Sequence, residues 1–284
     1  MSSQRPSGWY AVPAFAFFAL FAALPMVIVV YLSFTTWDGL GTPQVNGVDN
    51  WTRLMEDGEA HASVGRTVLL MVVSWLVQTP IALLIGVWAA GKERSRAVLS
   101  SIFFLPLLLS TAAIALLWQV LLDPNFGAFV GGPLFLGDTE IAIYTVVFVI
   151  SWQYIPFHTL LYQGAARAIP PSLYEAATID GASRFGKFRN ITLPQLRYTI
   201  VTSSVLMLVG SLTTFDTVLI LTNGGPGTAT RILPLHMYIT GFSGFEMGYA
   251  SSIAVVLVVL GTALSVAVMR WSGFRSMSSQ QEGS

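Results

Sequence analysis

Six stretches of this chain, at approximately 11–34, 66–90, 98–122, 141–163, 198–222 and 248–270, are predominantly apolar over some twenty residues or more. Crossing a hydrocarbon core of ~30 Å takes roughly 20 helical residues. The runs are continuous rather than alternating, which favours helices over the strands of a barrel. Composition agrees: 54% of residues are hydrophobic and 10% charged, against about a quarter charged in ordinary soluble domains. The sequence therefore predicts an all-α, polytopic membrane bundle of six transmembrane helices. A single membrane domain is expected over 11–270, between a short segment 1–10 and a tail 271–284 that is Ser- and Gln-rich and expected to be disordered. The first apolar run, Ala11 to Phe34, is too long for the 7–15-residue core of a signal peptide and is read as a retained anchor. Pro13, Pro25, Pro80, Pro106 and Pro156 fall inside the predicted spans. Each removes a backbone donor and bends its helix. That suits a protein that opens and closes, and packing irregularity accounts for any single one equally well.

Formal net charge is zero, but the signs are segregated. With the N-terminus in the cytoplasm, 11 of the 14 basic residues fall inside and 3 outside (Arg53, Arg66 and Arg231). Nine carboxylates lie outside and four inside, with Asp216 within a span. The positive-inside rule fixes that orientation, with both termini cytoplasmic. The loop at 35–65 is then external and acidic, the loop at 91–97 internal, short and basic, and the loop at 164–197 the longest internal feature.

Residues 170–194 read PPSLYEAATIDGASRFGKFRNITLP, a pattern that predicts a helical hairpin. Pro170 and Pro171 end the fourth span. Ser172 is expected at the N-cap, with Glu175 three residues on completing a capping box. Asp180-Gly181 stops that helix, because glycine accepts the left-handed cap conformation. Ser183 begins a second short helix running through Phe188, and Pro194 restarts the chain near the membrane.

That segment resembles the EAA signature of the permease subunits of binding-protein-dependent ABC importers. Glu175-Ala176-Ala177 is followed after three residues by Gly181, and after nine more by Ile191-Thr192-Leu193-Pro194, so every fixed position and both gaps agree. The resemblance implies the type I importer permease fold, in a bacterial inner membrane. It implies that the loop is a coupling element docking into a groove on an ATPase, with Glu175, Ala176, Ala177, Asp180, Gly181, Ala182, Ser183 and Arg184 at the contact. Glu175 is read equally as a cap of its own helix. Arg184, Lys187 and Arg189 face the ATPase, lipid headgroups or only solvent. The implied partners are a second homologous permease, two ATP-binding-cassette ATPases that hold the ATP and magnesium, an extracellular solute-binding lipoprotein and membrane lipid, with no nucleic acid.

Residues 215–230, FDTVLILTNGGPGTAT, and GFSGFEMGYASSIAVV from Gly241 resemble the carbohydrate-type permeases, and among them the first of two non-identical subunits. Without a large extra external domain, the chain looks closer to the lactose and glycerol-phosphate type than to the maltose type. The resemblance implies a sugar or oligosaccharide as cargo. A carboxylate inside a span normally faces a partner or a wet cavity. Asp216 has Thr213, Thr214, Thr217, Thr222 and Asn223 nearby, all able to hydrogen-bond hydroxyl-rich solutes. Trp152, Gln153 and Tyr154 of the fourth span can supply an aromatic platform. Two readings stand: a translocation cavity lined by Trp152, Gln153, Tyr154, Thr213, Thr214, Asp216 and Asn223, or an Asp216 that buttresses the Asn223-Gly224-Gly225-Pro226 turn, the latter preferred.

The exclusions are as informative. There are no cysteines, so disulfides and thiolate chemistry are absent. Gly91-Lys92 and Gly186-Lys187 are followed by Glu93 and Phe188, so no phosphate loop exists, no cofactor is expected in this chain and ATP hydrolysis must belong to a partner. The three histidines, His61, His158 and His236, are too dispersed for a metal set. His158 lines a cavity or packs hydrogen-bonded in the bundle, with packing preferred. A secondary transporter would bury charges in several spans, and an intramembrane enzyme would pair carboxylates or histidines there. Neither accounts for 170–194.

Overall fold

The computed structural model describes residues 8–91 and 94–271, apart from the side chains of residues 94, 95, 97–99 and 271. The expectations for residues 1–7, for Lys92 and Glu93 in the basic loop and for the tail beyond Trp271 lie outside the described residues. The described residues are mostly helical, with one two-residue strand pair among them. It divides into two compact units: residues up to His61 with His236–Val259, and Ala62–Leu235 with residues from Leu260 on.

In the first unit, Trp9–Leu32 forms 24 residues of helix with no residue of its apolar window buried. Pro13 and Pro25 each sit in the first turn of an α-helical segment, Val12–Phe18 and Leu24–Leu32. Both lie within the continuous helix Trp9–Leu32, and a π-helical turn over Ala19–Ala23 precedes Pro25, where a backbone donor is missing. Thr35–Thr36 pairs antiparallel with Gln44–Val45. The buried Asn50, on the helix Asp49–Glu56, donates to the carbonyls of Ser33 at 3.0 Å and Thr35 at 2.8 Å. The last helix, Met247–Trp271, begins against this hairpin: the Gly248 amide donates to the Trp37 carbonyl at 3.2 Å, and a Cβ at Gly248 would collide with the Thr35 carbonyl.

The second unit is organised on the helix Ala142–Arg167, whose buried residues include Val146, Val149, Ile150, Gln153, His158 and Tyr162. The helix Gly58–Ala89 approaches it so closely that a Cβ on Gly86 would stand 2.7 Å from that of Tyr162. Small residues permit such contacts where lipid offers no hydrophobic drive between helices, and polar side chains then join them. Here Trp75 Nε1 donates to Ser204 Oγ at 2.9 Å, His158 Nδ1 meets Ser203 Oγ at 2.8 Å, and Gln163 Nε2 donates to the Ala89 carbonyl at 2.8 Å.

Among the described residues three helices are individually long and apolar enough to cross a bilayer, Trp9–Leu32, Gly58–Ala89 and Met247–Arg270, and a fourth crossing results if a bent pair counts as one. The remaining expectations change for physical reasons. The second span starts at Gly58 rather than 66, because Asp57 Oδ1 accepts from the amides of Glu59 and Ala60 at 2.9 and 3.0 Å and so opens that helix early. The region 98–122 is not one helix but Arg94–Phe103, a 3-10 turn Leu105–Leu108 holding Pro106, and Thr111–Leu121. Pro106 cannot continue a helix, and the Ser110 hydroxyl starts the next by accepting from the Ala113 amide at 3.2 Å. The region 198–222 is Arg197–Ser211 and Phe215–Thr222, bent by 48°. Pro80 and Pro156 stay inside their helices.

Candidate functional site

The hairpin at 170–194 forms as two short helices. Pro171–Ile179 starts with Pro170 at the N-cap position and Pro171 in the first turn, and no side chain caps it. The capping box expected at Ser172 and Glu175 is thus not made: the fixed φ of Pro171 suits the first helical position, which moves Ser172 into the helix and frees Glu175 from a capping role. The C-terminus is as expected. Gly181 has φ +76°, the Gly181 amide donates to the Thr178 carbonyl at 3.1 Å, and the Ala182 amide donates to the Ala177 carbonyl at 2.8 Å. Those two bonds make a Schellman stop. Ser183 caps Arg184–Lys187 by accepting from the Gly186 amide at 3.1 Å, and a π-helical turn Phe188–Thr192 follows.

The elbow is held from within and from behind. Lys187 Nζ donates to Thr178 Oγ1 at 2.7 Å, and the hydroxyls of Tyr174 and Thr192 meet at 2.9 Å. Tyr174, Phe188 and Ile191 pack against a buried cluster that includes Leu83, Tyr162 and Leu196. Its front is open: Glu175, Ala176, Asp180, Ser183 and Arg184 are exposed, as are Ile179 at 87% and Phe185 at 70%. Ala177 and Ala182 are half-buried at the turn. Ile179 and Phe185 are elements of this surface that the motif does not mark. Their signal in the sequence is that they are the two large apolar residues that flank the Gly181 turn.

A cavity of about 390 Å³ opens within the second unit, lined by Gln78, Thr111, Tyr154, Phe157, His158, Ser211, Thr213, Thr214, Asp216 and Thr217 among others. It sits at the break in the bent pair, where Leu212–Thr214 leave the helical path. Non-helical backbone at membrane depth is tolerated where it lines a cavity. The structure therefore brings Tyr154, Thr213, Thr214 and Asp216 together. It sends the other candidates elsewhere. Trp152 stacks edge-on against Trp118 at 5.5 Å and lines a separate apolar hollow. Gln153 is buried, with its amide 3.4 Å from Thr111 Oγ1. Asn223 is the left-handed C-cap of Phe215–Thr222. Successive residues on a helix face different directions, so Trp152, Gln153 and Tyr154 cannot all front one cavity.

The preferred reading of Asp216 as a buttress is corrected as well. Asp216 stands in the first turn of Phe215–Thr222, at the opposite end from Asn223. The turn is held instead by Thr222 and Thr230, whose hydroxyls meet at 2.7 Å, with Thr230 Oγ1 2.7 Å from the Gly225 carbonyl. Gly225–Pro226 is cis. Arg66 reaches the same loop, donating to the Arg231 carbonyl at 3.3 Å and to Thr228 Oγ1 at 3.2 Å. His158 satisfies both of its readings, being hydrogen-bonded to Ser203 and part of the cavity wall. Gln78, Thr111 and Ser211 were not singled out by sequence. Gln78 alone carried a visible signal, as an amide within an apolar run.

A third polar cluster occupies the first unit. Tyr249 Oη donates to Asp57 Oδ2 at 2.6 Å, and His236 Nε2 lies 3.7 Å from the same oxygen. Arg53 makes a two-pronged pair with Glu246 at 3.0 and 2.8 Å and lies over the Tyr249 ring at 4.0 Å. Burial alone would raise the Asp57 carboxyl, but the hydrogen bonds from Tyr249, Ala60 and Glu59 and the His236 ring outweigh it and hold it below the usual value. The pair with Glu246 raises the Arg53 guanidinium.

Residues 82–276 match the family described as the inner membrane component of binding-protein-dependent transport systems. The chain is 32% identical over 275 residues to a probable ABC transporter permease protein, YurN, of Bacillus subtilis, covering 92% of this chain and 94% of that one. It is 29% identical to AmyD of Thermoanaerobacterium thermosulfurigenes, a probable starch degradation products transport system permease, with 91% of each covered. A chain of a bacterial alginate ABC transporter, solved with its alginate-bound periplasmic protein, superposes with a TM-score of 0.82 at 23% identity, over 95% of this chain and 96% of that one.

Proposed function

This chain belongs to the family of inner-membrane components of binding-protein-dependent transport systems, and on that premise we propose that it is one permease of an ABC importer that takes up a sugar or oligosaccharide. The observation that carries the reading is the elbow at 171–187. It is rigid from behind, turns on Gly181 and leaves Ile179 and Phe185 uncovered within this chain. An apolar pair of that exposure on either side of a tight turn marks a protein contact. Glu175, Ala176, Ala177, Asp180, Gly181, Ala182, Ser183 and Arg184 surround it and form the contact with an ATPase subunit, which supplies the hydrolysis this chain lacks. Closing of the ATPases on ATP would move the elbow as a rigid body and switch the spans between two states. The motion is driven only if the ATPase holds the elbow differently in each state.

The cargo class is inferred from the relatives' named substrates and from the hydroxyl-rich cavity at the helix break. The bulk of the basic residues puts the elbow on the cytoplasmic side, with 35–65 facing the binding protein. The first helix, Trp9–Leu32, with no residue of its apolar window buried, faces lipid or the second permease.

Two measurements test this. Mild-detergent purification of the tagged chain is expected to bring an ATPase and a second permease. Substitution of Ile179 by Asp is expected to remove the ATPase and leave the second permease; a chain that purifies alone and still transports defeats the reading. Because the chain has no native cysteine, a single Ser172→Cys is expected to react with a membrane-impermeant thiol reagent only in inverted vesicles, and Asn46→Cys only in intact cells.

A further inference from the structure

Four consecutive polar positions at the break of the bent pair share one property. Ser211 Oγ donates to the Met207 carbonyl at 2.8 Å, Thr213 Oγ1 to the Gly210 carbonyl at 2.8 Å and Thr214 Oγ1 to the Ser211 carbonyl at 2.9 Å. Each hydroxyl has spent its one proton on its own backbone. What it offers the cavity is lone pairs. The fourth, Asp216, is exposed and makes no hydrogen bond or ion pair among the described residues, and an ionised carboxylate only accepts. No Lys or Arg is among the cavity-lining residues. Tyr154, Gln78 and His158 also line the cavity. Beside Asp216, Thr217 is fully buried and its Oγ1 has no partner. A buried hydroxyl left unpaired costs about 1–3 kcal/mol.

We infer that this cavity selects cargo by charge and hydrogen-bond polarity: it takes neutral and protonated amino sugars and rejects uronates and sugar phosphates, with Asp216 setting the preference. The inference rests on the sugar-importer reading above and goes beyond it. The acceptors of Ser211, Thr213, Thr214 and Asp216 need donors. Neutral sugars bring hydroxyl protons, and an ammonium brings three donors and a compensating charge. A carboxylate or phosphate brings only further acceptors and a like charge. One unit charge some 5 Å from Asp216 in a wetted cavity shifts affinity by roughly tenfold in either direction.

The test uses the importer complex purified with its partner subunits but without the binding protein, so that selection by the binding protein does not intervene. Three β-1,4-linked disaccharides of matched size serve as probes by calorimetric titration at pH 6: the glucosamine dimer, cellobiose and cellobiouronate. The glucosamine dimer is expected to bind tightest and the uronate weakest, about tenfold or more apart at low salt. Asp216→Asn is expected to bring the three constants together, and Asp216→Glu to keep their order. Uronate binding as tight as cellobiose, or an unchanged order in Asp216→Asn, overturns the charge preference and leaves the sugar reading standing. Failure of all three disaccharides to bind overturns both.

Discussion

The elbow at 171–187 and the cluster around Asp57 are built from the same materials: helix ends, a few charges and an aromatic. They use them in opposite ways. In the elbow the backbone makes the turn, and Lys187–Thr178 and Tyr174–Thr192 brace it from behind. The Schellman bonds at Gly181 and Ala182 and the Ser183 cap fix the shape, so the side chains of Glu175, Asp180, Arg184, Ile179 and Phe185 are left uncommitted. Around Asp57 the side chains do the holding. Tyr249, only 2% exposed, reaches back across 192 positions of sequence to the carboxylate that also opens the helix Gly58–Ala89. A region whose shape depends on its backbone can hand its side chains to another protein. One whose shape depends on its side chains cannot, which places function in the first and stability in the second.

The sharpest way to break that contrast is at Gly181. Its φ of +76° is one that a side-chain-bearing residue adopts at a cost of roughly 1–2 kcal/mol. Yet a Cβ there would meet nothing within 4 Å. Gly181→Asp is therefore expected to insert and fold while uptake falls at least a hundredfold, measured as ATP-dependent accumulation in vesicles beside the amount of chain in the membrane. Normal uptake would remove the elbow from the mechanism. The next largest effect is expected at the exposed apolar pair. Phe185→Asp should reduce ATPase co-purification tenfold or more, while the apparent melting midpoint of the chain stays within about 1 °C, since exposed positions contribute little to stability. A loss of stability instead would mean that Phe185 packs within its own chain.

The same contrast explains what was legible beforehand. The elbow could be read because its determinants are local: a glycine at a helix stop, a serine three residues before an amide it caps, fixed gaps to Ile191 and Pro194. The one local error, a capping box at Ser172, arose because a proline in the first turn competes with a serine for where the helix starts, and Pro171 won. The cavity was half legible. Asp216 and its threonines lie within a few residues of each other, but their company depends on a bend at 212–214 that hydropathy does not register, and Gln78 and Thr111 arrive from other helices. The Pro106 break was missed because an apolar run continues through it, and the early start at Gly58 because the helix extends over the polar residues 58–65, which hydropathy leaves outside the span. The Asp57 cluster was illegible: nothing near Asp57 in sequence points to Tyr249 or His236.

Tyr249→Phe probes the second half of the comparison. It removes one hydrogen bond to a charged group and leaves Asp57 short of a partner, a loss of about 1.5–3 kcal/mol. That corresponds to a melting midpoint lower by about 3–10 °C for a chain of this size, with the ATPase still co-purifying. The pH dependence has a definite sign. The Asp57 carboxyl is held below its unfolded value, so its contribution is fully present above that value, about 3.9, and is lost as pH falls through the lower folded value. The gap between Tyr249→Phe and the parent is therefore expected to be constant near neutrality and to narrow below about pH 4. A gap that instead widens in acid would mean that the carboxylate is not what Tyr249 serves.

The smallest effect is expected at the most conspicuous contact. Arg53 and Glu246 make two good hydrogen bonds, but their side chains are 51% and 43% exposed. Pairs so placed are worth about 0.2–1 kcal/mol, because solvent screens them and two long side chains must be ordered to meet. Glu246→Gln is expected to lower the melting midpoint by no more than about 3 °C, and half-molar salt should erase most of the difference. Arg53→Leu should cost somewhat more, since it also removes the cation from the face of Tyr249. A double-mutant cycle between Arg53→Ala and Glu246→Ala therefore decides how the cluster is ranked. A coupling under about 1 kcal/mol leaves Tyr249–Asp57 as its centre. A coupling above about 2 kcal/mol would mean that the ion pair, and not the buried hydroxyl, is what the other groups are arranged around.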